Sequence, residues 1–108
     1  MQDTSHSEYG DMYSRLIAIS QEALESAYYE TAYHALCAAM HYAYIQSDEH
    51  RLEMVGQAAK AQLDWIDANA KEHKMSTQSV MKRSGVNLYN SLLTQVHADL
   101  VILRQKKR

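Results

Sequence analysis

Proline and phenylalanine are absent from this 108-residue sequence, glycine occurs three times, and cysteine and tryptophan once each. Without proline, and with Ala, Leu, Met, Glu, Gln and Lys plentiful, the composition favours helix throughout. The three glycines, Gly10, Gly56 and Gly85, are too scattered to build a phosphate-cradling loop. A lone Cys37 excludes an internal disulfide and fits a reducing cytosol. No apolar run approaches the length of a membrane span. The opening residues MQDTSHSEYG are polar and acidic, unlike a secretory signal or a transit peptide. The expectation is a soluble cytoplasmic protein without membrane attachment. In place of phenylalanine stand eight tyrosines, seven of them between Tyr9 and Tyr44, so every buried ring of this kind brings a hydroxyl that needs a partner.

The most informative stretch runs from Ala27 to Gln46, with Glu30 its sole formal charge and neither glycine nor proline. A helix apolar on nearly all sides is expected to be buried on nearly all sides, so other helices should cover it. A first helix is predicted from about Asp11 to Ser26, with Leu16, Ile19, Ala23 and Ala27 as its stripe. Ser47-Asp48-Glu49 reads as a break and an N-cap, opening a third helix that reaches about Lys71. Its main stripe is Leu52, Val55, Ala59, Leu63, Ile66 and Ala70. A link around His73 to Thr77 precedes a last helix over roughly Gln78 to Gln105, whose stripe is Gly85, Tyr89, Leu92, Val96, Leu100 and Leu103. Gly85 marks either a local break after Ser84 or a close approach of two helices. The architecture predicted is all-α: four antiparallel helices in a single domain over residues 11–105, preceded by a flexible tail at 1–10.

The net charge of −2 hides an asymmetry. Residues 1–70 hold eleven acidic and three basic side chains, residues 71–108 two acidic and eight basic. Opposite ends can complement each other within the fold or across a dimer. Alternatively, the basic residues Lys82, Arg83, Arg104, Lys106, Lys107 and Arg108 meet an anionic partner such as RNA, with Tyr89 available for stacking. Internal complementation is the simpler expectation, because charges at a chain end often merely solvate it.

Few constellations carry chemistry. On the second helix His34, Cys37 and His41 fall within a sector of about 60°, so one metal could reach two or three of them. Structural zinc sites usually draw ligands from two segments, and here one is visible, with His50 or His97 as the only further donors to suggest. A packing role is therefore expected, with no metal and no cofactor. Cys37 between Leu36 and Ala38 reads as inert packing rather than a nucleophile. The acids Glu22, Glu25 and Glu30 lack the Glu-x-x-His pattern of a di-iron bundle. The chain is not expected to be an enzyme. Met54, Ala58, Ala61 and Trp65 form a second strip on the third helix, along with Ala68. It is either a second buried stripe of a central helix or, if exposed, the surface that meets a partner or a second copy.

Residues 13–46, set as a helical hairpin, resemble a single tetratricopeptide unit. Leu16, Ile19, Ser20 and Ala23 stand at the packing positions of its first helix, and Ala27, Tyr29, Ala32, Leu36, Ala39 and Met40 at those of the turn and second helix. The likeness covers about a third of the chain. The family's Trp-like, Gly and Pro positions are here Leu16, Ser20 and Tyr44, and a second unit from Ser47 fails, with His50 and Ile66 at its signature places. The same segment also resembles the HEPN superfamily of helical bundles, through the Tyr-rich turn that leads to His34-Ala35. The catalytic Arg followed four to six residues later by His, expected of that superfamily's nucleases, has no counterpart, since Arg83 is far from His97. Both resemblances imply binding rather than chemistry. The function expected is a non-enzymatic protein–protein interaction or assembly role with self-association, a homodimer by preference. The alternative is a HEPN-like module binding RNA or another anion through its basic end.

Overall fold

In the computed structural model, which describes residues 10–107, the chain forms five α-helices: α1 Met12–Glu25, α2 Tyr29–Ile45, α3 Glu49–Asn69, α4 Thr77–Lys82 and α5 Leu88–Lys106. The all-α fold is as expected, with four long helices packed together. The tail expected at 1–10 lies, Gly10 apart, outside the described residues.

Four of the five described helices begin where a short polar side chain satisfies free backbone donors. Asp11 accepts from the Ser14 N–H at 2.9 Å, Asp48 from Arg51 N–H at 3.0 Å, Ser76 from Ser79 N–H at 3.1 Å and Asn87 from Asn90 N–H at 3.1 Å. Helix α2 alone among the described helices starts without such a cap. Three helices end in the same way. After α1, Tyr28 N–H bonds to Ala23 C=O at 2.8 Å and Ala27 N–H to Leu24 C=O at 3.0 Å, with Ala27 left-handed at φ 65°. After α2 the bonds run from Asp48 to Ala43 and from Ser47 to Tyr44, with Ser47 at φ 55°; after α4 they run from Gly85 to Val80 and from Ser84 to Met81, with Ser84 at φ 53°. These are paired Schellman bonds built on non-glycine residues, at a position where glycine carries no Cβ penalty.

The third of these turns corrects the last predicted helix. It breaks after Lys82 and resumes at Leu88, so Gly85 belongs to a turn and not to the apolar stripe. The rest of that stripe, Tyr89, Leu92, Val96, Leu100 and Leu103, is buried as expected. The first helix needs a second correction. Ile19 is 50% exposed, and Ala27 is a turn residue; the inward face is Tyr13, Ser20, Ala23 and Leu24. Helix α2 is covered on one side by α1, α3 and α5, yet Thr31, His34, Ala38 and His41 form an open row. Small Ala32, Ala35, Ala39 and Ala43 let its neighbours approach on the inner side.

Between the helices runs a chain of buried hydrogen bonds. Tyr89 OH (α5) donates to Gln62 Oε1 (α3) at 2.7 Å, Gln62 Nε2 donates to Ser20 Oγ (α1) at 2.7 Å, and Ser20 OH donates to the Ala32 carbonyl (α2) at 2.8 Å. Tyr89 and Ser20 are fully buried and Gln62 nearly so. Burial pushes the Tyr89 phenol well above its ordinary value of 10.0, so the hydroxyl stays a donor. The Cα atoms span 48 × 36 × 16 Å with a radius of gyration of 15.0 Å, against about 13 Å for a compact chain of 100 residues. The helices thus lie in a flattened arrangement with two broad faces.

Two stability predictions follow from these features. Tyr89→Phe leaves the Gln62 carbonyl oxygen unpaired in the core and is expected to lower the free energy of unfolding by about 1–3 kcal/mol in urea titration. Ala27→Gly relieves the left-handed Cβ and is expected to raise it by about 0.5–1 kcal/mol by the same measurement.

Candidate interaction surface

Helix α3 supplies both the centre of the bundle and the chain's one tryptophan, which is half-exposed. Leu52, Val55, Ala59, Leu63 and Ile66 face inward and are buried. Turning about 130° around the helix axis, at about 100° per residue, brings up Met54, Ala58, Ala61, Trp65 and Ala68. Met54 is 41% and Trp65 48% exposed, Ala61 and Ala68 are exposed, and Ala58 is half-buried against the core edge. The strip is therefore not a second buried stripe. It lies in the open because α2 and α5 both pack toward the other sides of α3.

Next to the strip, on the side of α5, lies a shallow trough of about 810 Å³. Its walls include Gly56 and Ala61 from α3 and Leu93, His97 and Leu100 from α5, with Glu53, Lys60 and Asp64 along its edge. Ala61 belongs to both trough and strip, so the two are continuous. Lys60 and Asp64 form an exposed intrahelical ion pair at 3.0 Å, of the kind that adds only tenths of a kcal/mol.

The predicted basic site does not come together. Lys82 and Arg83 stand at the end of α4, which is tied to the C-terminal part of α3 by Asp67 accepting from Thr77 N–H at 2.7 Å and Thr77 Oγ1–H at 2.8 Å. Arg104, Lys106 and Lys107 stand beside the opposite end of α3, which at 21 residues is about 30 Å long. Arg104 pairs with Glu49 at 3.0 Å and Glu53 at 2.9 Å, Lys107 pairs with Glu49, and Lys106 Nζ lies 5.6 Å from the Tyr44 ring centre. Arg83 donates to the Lys74 carbonyl at 3.1 Å. Arg108 lies outside the described residues. Arg104 and Lys107 of the basic end thus meet acids of their own α3, which offsets part of the charge asymmetry inside the molecule. At the other corner Arg51 bonds Asp11 at 2.6 Å, approaches Asp48 at 3.6 Å and stacks 4.7 Å from the Tyr13 ring centre, joining the caps of α1 and α3.

His34 and His41 are exposed on the open row of α2 and Cys37 is half-buried. Among the described residues no three His, Cys, Asp or Glu side chains form a cluster able to hold a metal ion. Burial pushes the Cys37 thiol up from 9.0, opposite to what an attacking thiolate needs. Its neighbour Tyr33 is pushed up to about 12 by burial and by the Cys37 hydrogen bond, and packs edge-on against Tyr89 with ring centres 5.5 Å apart.

Sequence reasoning singled out the strip residues but missed Gln62 and the charged edge. Gln62 was detectable as the one polar side chain within the inward sequence Val55, Ala59, Gln62, Ile66. No protein-family model, curated protein or solved structure matches the chain. Among the described residues no helix is long and apolar enough to cross a membrane.

Lys107 and Arg104, in that order, hold the Glu49 carboxyl below its ordinary value of 4.5. A depressed carboxyl stabilises the fold above its unfolded value and ceases to do so as pH falls through the folded one. Stability is therefore expected to decline as pH drops below about 4.5, and Glu49→Gln is expected to flatten that limb in urea titrations run at successive pH values.

Proposed function

We propose that this chain is a non-enzymatic protein–protein interaction or assembly module of the cytosol, self-associating as a homodimer through Met54, Ala58, Ala61 and Trp65. The observation that carries this reading is the half-exposed Trp65 aligned with Met54 on one helix. Tryptophan and methionine are enriched where proteins meet and are costly to leave wet. The alanines between them keep the strip low enough for another backbone to approach.

A tetratricopeptide-like arrangement of α1 and α2 fits the reading. The turns after α1 and α2 share one three-residue form, Ser26-Ala27-Tyr28 and Gln46-Ser47-Asp48, each with its middle residue left-handed. Repeating one turn stacks successive antiparallel helices in the manner of helical repeats. The reading with an anionic partner has less support, because Arg104 and Lys107 are engaged by Glu49 and Glu53.

Trp65→Glu tests the proposal. The variant is expected to keep its helical circular dichroism, since the side chain is 48% exposed, and to sediment as a monomer at concentrations where the unaltered protein is a dimer. Unaltered protein that stays monomeric at every concentration overturns the reading.

A further inference from the structure

Away from the strip, a recess of about 440 Å³ opens between the C-terminal end of α3 and α4. Its walls are Asp67 of α3, Lys71 of the following turn, and Thr77, Gln78, Met81 and Lys82 of α4. Five of these six side chains carry polar groups, yet the wall is predominantly apolar. Met81 and the carbon stems of its neighbours therefore line the recess, and the polar heads stand at its mouth. Met81 is 73% exposed, so nothing in the fold covers it. The recess is also held in shape from beneath. Both Asp67 oxygens accept from Thr77, and Ser76 Oγ–H donates to the Lys71 carbonyl at 2.6 Å.

Its charge is one-sided. From 71 to 83 the chain carries Lys71, Lys74, Lys82 and Arg83 against Glu72 alone, and Glu72 does not line the recess. Lys74 pairs with Glu30 at 2.8 Å, and Arg83 donates to the Lys74 carbonyl. Arg51, Lys60, Arg104 and Lys107 likewise have carboxylate partners elsewhere in the fold. Lys71 and Lys82 form no ion pair among the described residues. The carboxylate of the recess, Asp67, is already engaged by Thr77. Two uncommitted ammonium groups thus flank one open apolar recess.

We propose that this recess docks an acidic peptide segment of another protein. One apolar side chain of the segment fills the recess against Met81, and carboxylates on either side of it meet Lys71 and Lys82. A methionine wall suits such an occupant, because its unbranched thioether adapts to side chains of different shape. A nucleic acid would satisfy the lysines but has no apolar side chain to place between them, and no aromatic ring lines the recess for a base to stack on. An anionic bilayer takes up apolar groups that protrude, whereas this site is concave. The site stands apart from the self-association proposed above. Asp67 is two positions from Trp65, about 200° around α3, so a dimer formed through the strip leaves the recess open.

The test is fluorescence anisotropy at low ionic strength with the full chain and a labelled nine-residue peptide of aspartates and glutamates around a central leucine. Saturable binding is expected, weakened about tenfold when alanine replaces that leucine. Lys71→Glu and Lys82→Glu are each expected to weaken it by about threefold to tenfold, and Lys82→Arg to leave it unchanged. Both positions are exposed, and circular dichroism verifies the fold of each variant. Trp65→Glu is expected to bind the peptide as tightly as the unaltered chain. The proposal is overturned by no binding up to about 1 mM protein, by equal affinity for the leucine and alanine peptides, or by charge reversals without effect. Retention on phosphatidylserine vesicles in the absence of peptide binding overturns it too and makes a membrane the occupant. An unaltered protein that is monomeric throughout yet binds the peptide removes the self-association and leaves the recess; a dimer that ignores the peptide does the reverse.

Discussion

The hydrogen-bond chain from Tyr89 through Gln62 and Ser20 to the Ala32 carbonyl touches all four long helices. It constrains the whole arrangement because an amide has two different ends. Ser20 gives its hydroxyl hydrogen to Ala32, so what it can still do for Gln62 is accept, which requires the amide nitrogen. The amide oxygen is then left for the Tyr89 hydroxyl. Each bond sets the direction of the next, and buried bonds aligned in this way reinforce one another. A rotation of α3 by one residue would remove Gln62 from both partners and leave the Tyr89 phenol without its acceptor in the core. Apolar packing alone tolerates sliding and substitution; a buried polar chain of this kind tolerates much less.

Fixing the inward point of α3 also fixes what faces out. Glu53, Lys60 and Asp64 lie about 160–200° from Gln62 at 100° per residue, so holding Gln62 in the core holds these charges at the surface. The strip of Met54, Ala61 and Trp65 lies between, outside the reach of α2 on one side and α5 on the other. The flattened shape makes this possible. In a more globular bundle of the same length a fourth helix would cover α3, whereas here the break at residues 83–87 diverts α4 to one end and brings α5 in along a single flank.

Much of this was legible in the residues. The apolar periods of α3 and α5 and the cap at Asp48 are local signals, and the buried stripes Leu52 to Ile66 and Tyr89 to Leu103 follow from them. What was not legible depends on partners distant in sequence. Ile19 and Ser20 are neighbours, and hydropathy alone puts the isoleucine inside. The structure buries the serine because Ala32 and Gln62 offer it bonds across gaps of 12 and 42 residues. Apolarity all round α2 implied cover all round, but Thr31, His34 and His41 are polar enough to leave one row open. The strip on α3 was identified as a unit, while its exposure depends on where α2 and α5 settle, which no period within α3 encodes.

The distribution of charge follows the same division. Arg104 and Lys107 come from the basic end of the chain and close on Glu49 and Glu53, while Arg51 draws together Asp11 and Asp48. Both sets act at the N-terminal end of α3, where its carboxylates also suit the positive end of the helix dipole. Part of the chain's charge asymmetry is thereby offset within the fold, at the end of α3 where Arg104 and Lys107 meet Glu49 and Glu53. Farther along α3, Lys60 and Asp64 pair with each other, and Asp67 caps α4 through Thr77. One helix is thus divided by function along two directions: anchored at its N-terminal end and inner face, and left with apolar and alternating charged side chains on the outer face. An apolar strip held rigid from behind presents its side chains in one fixed order, which is what the proposed self-association requires of it.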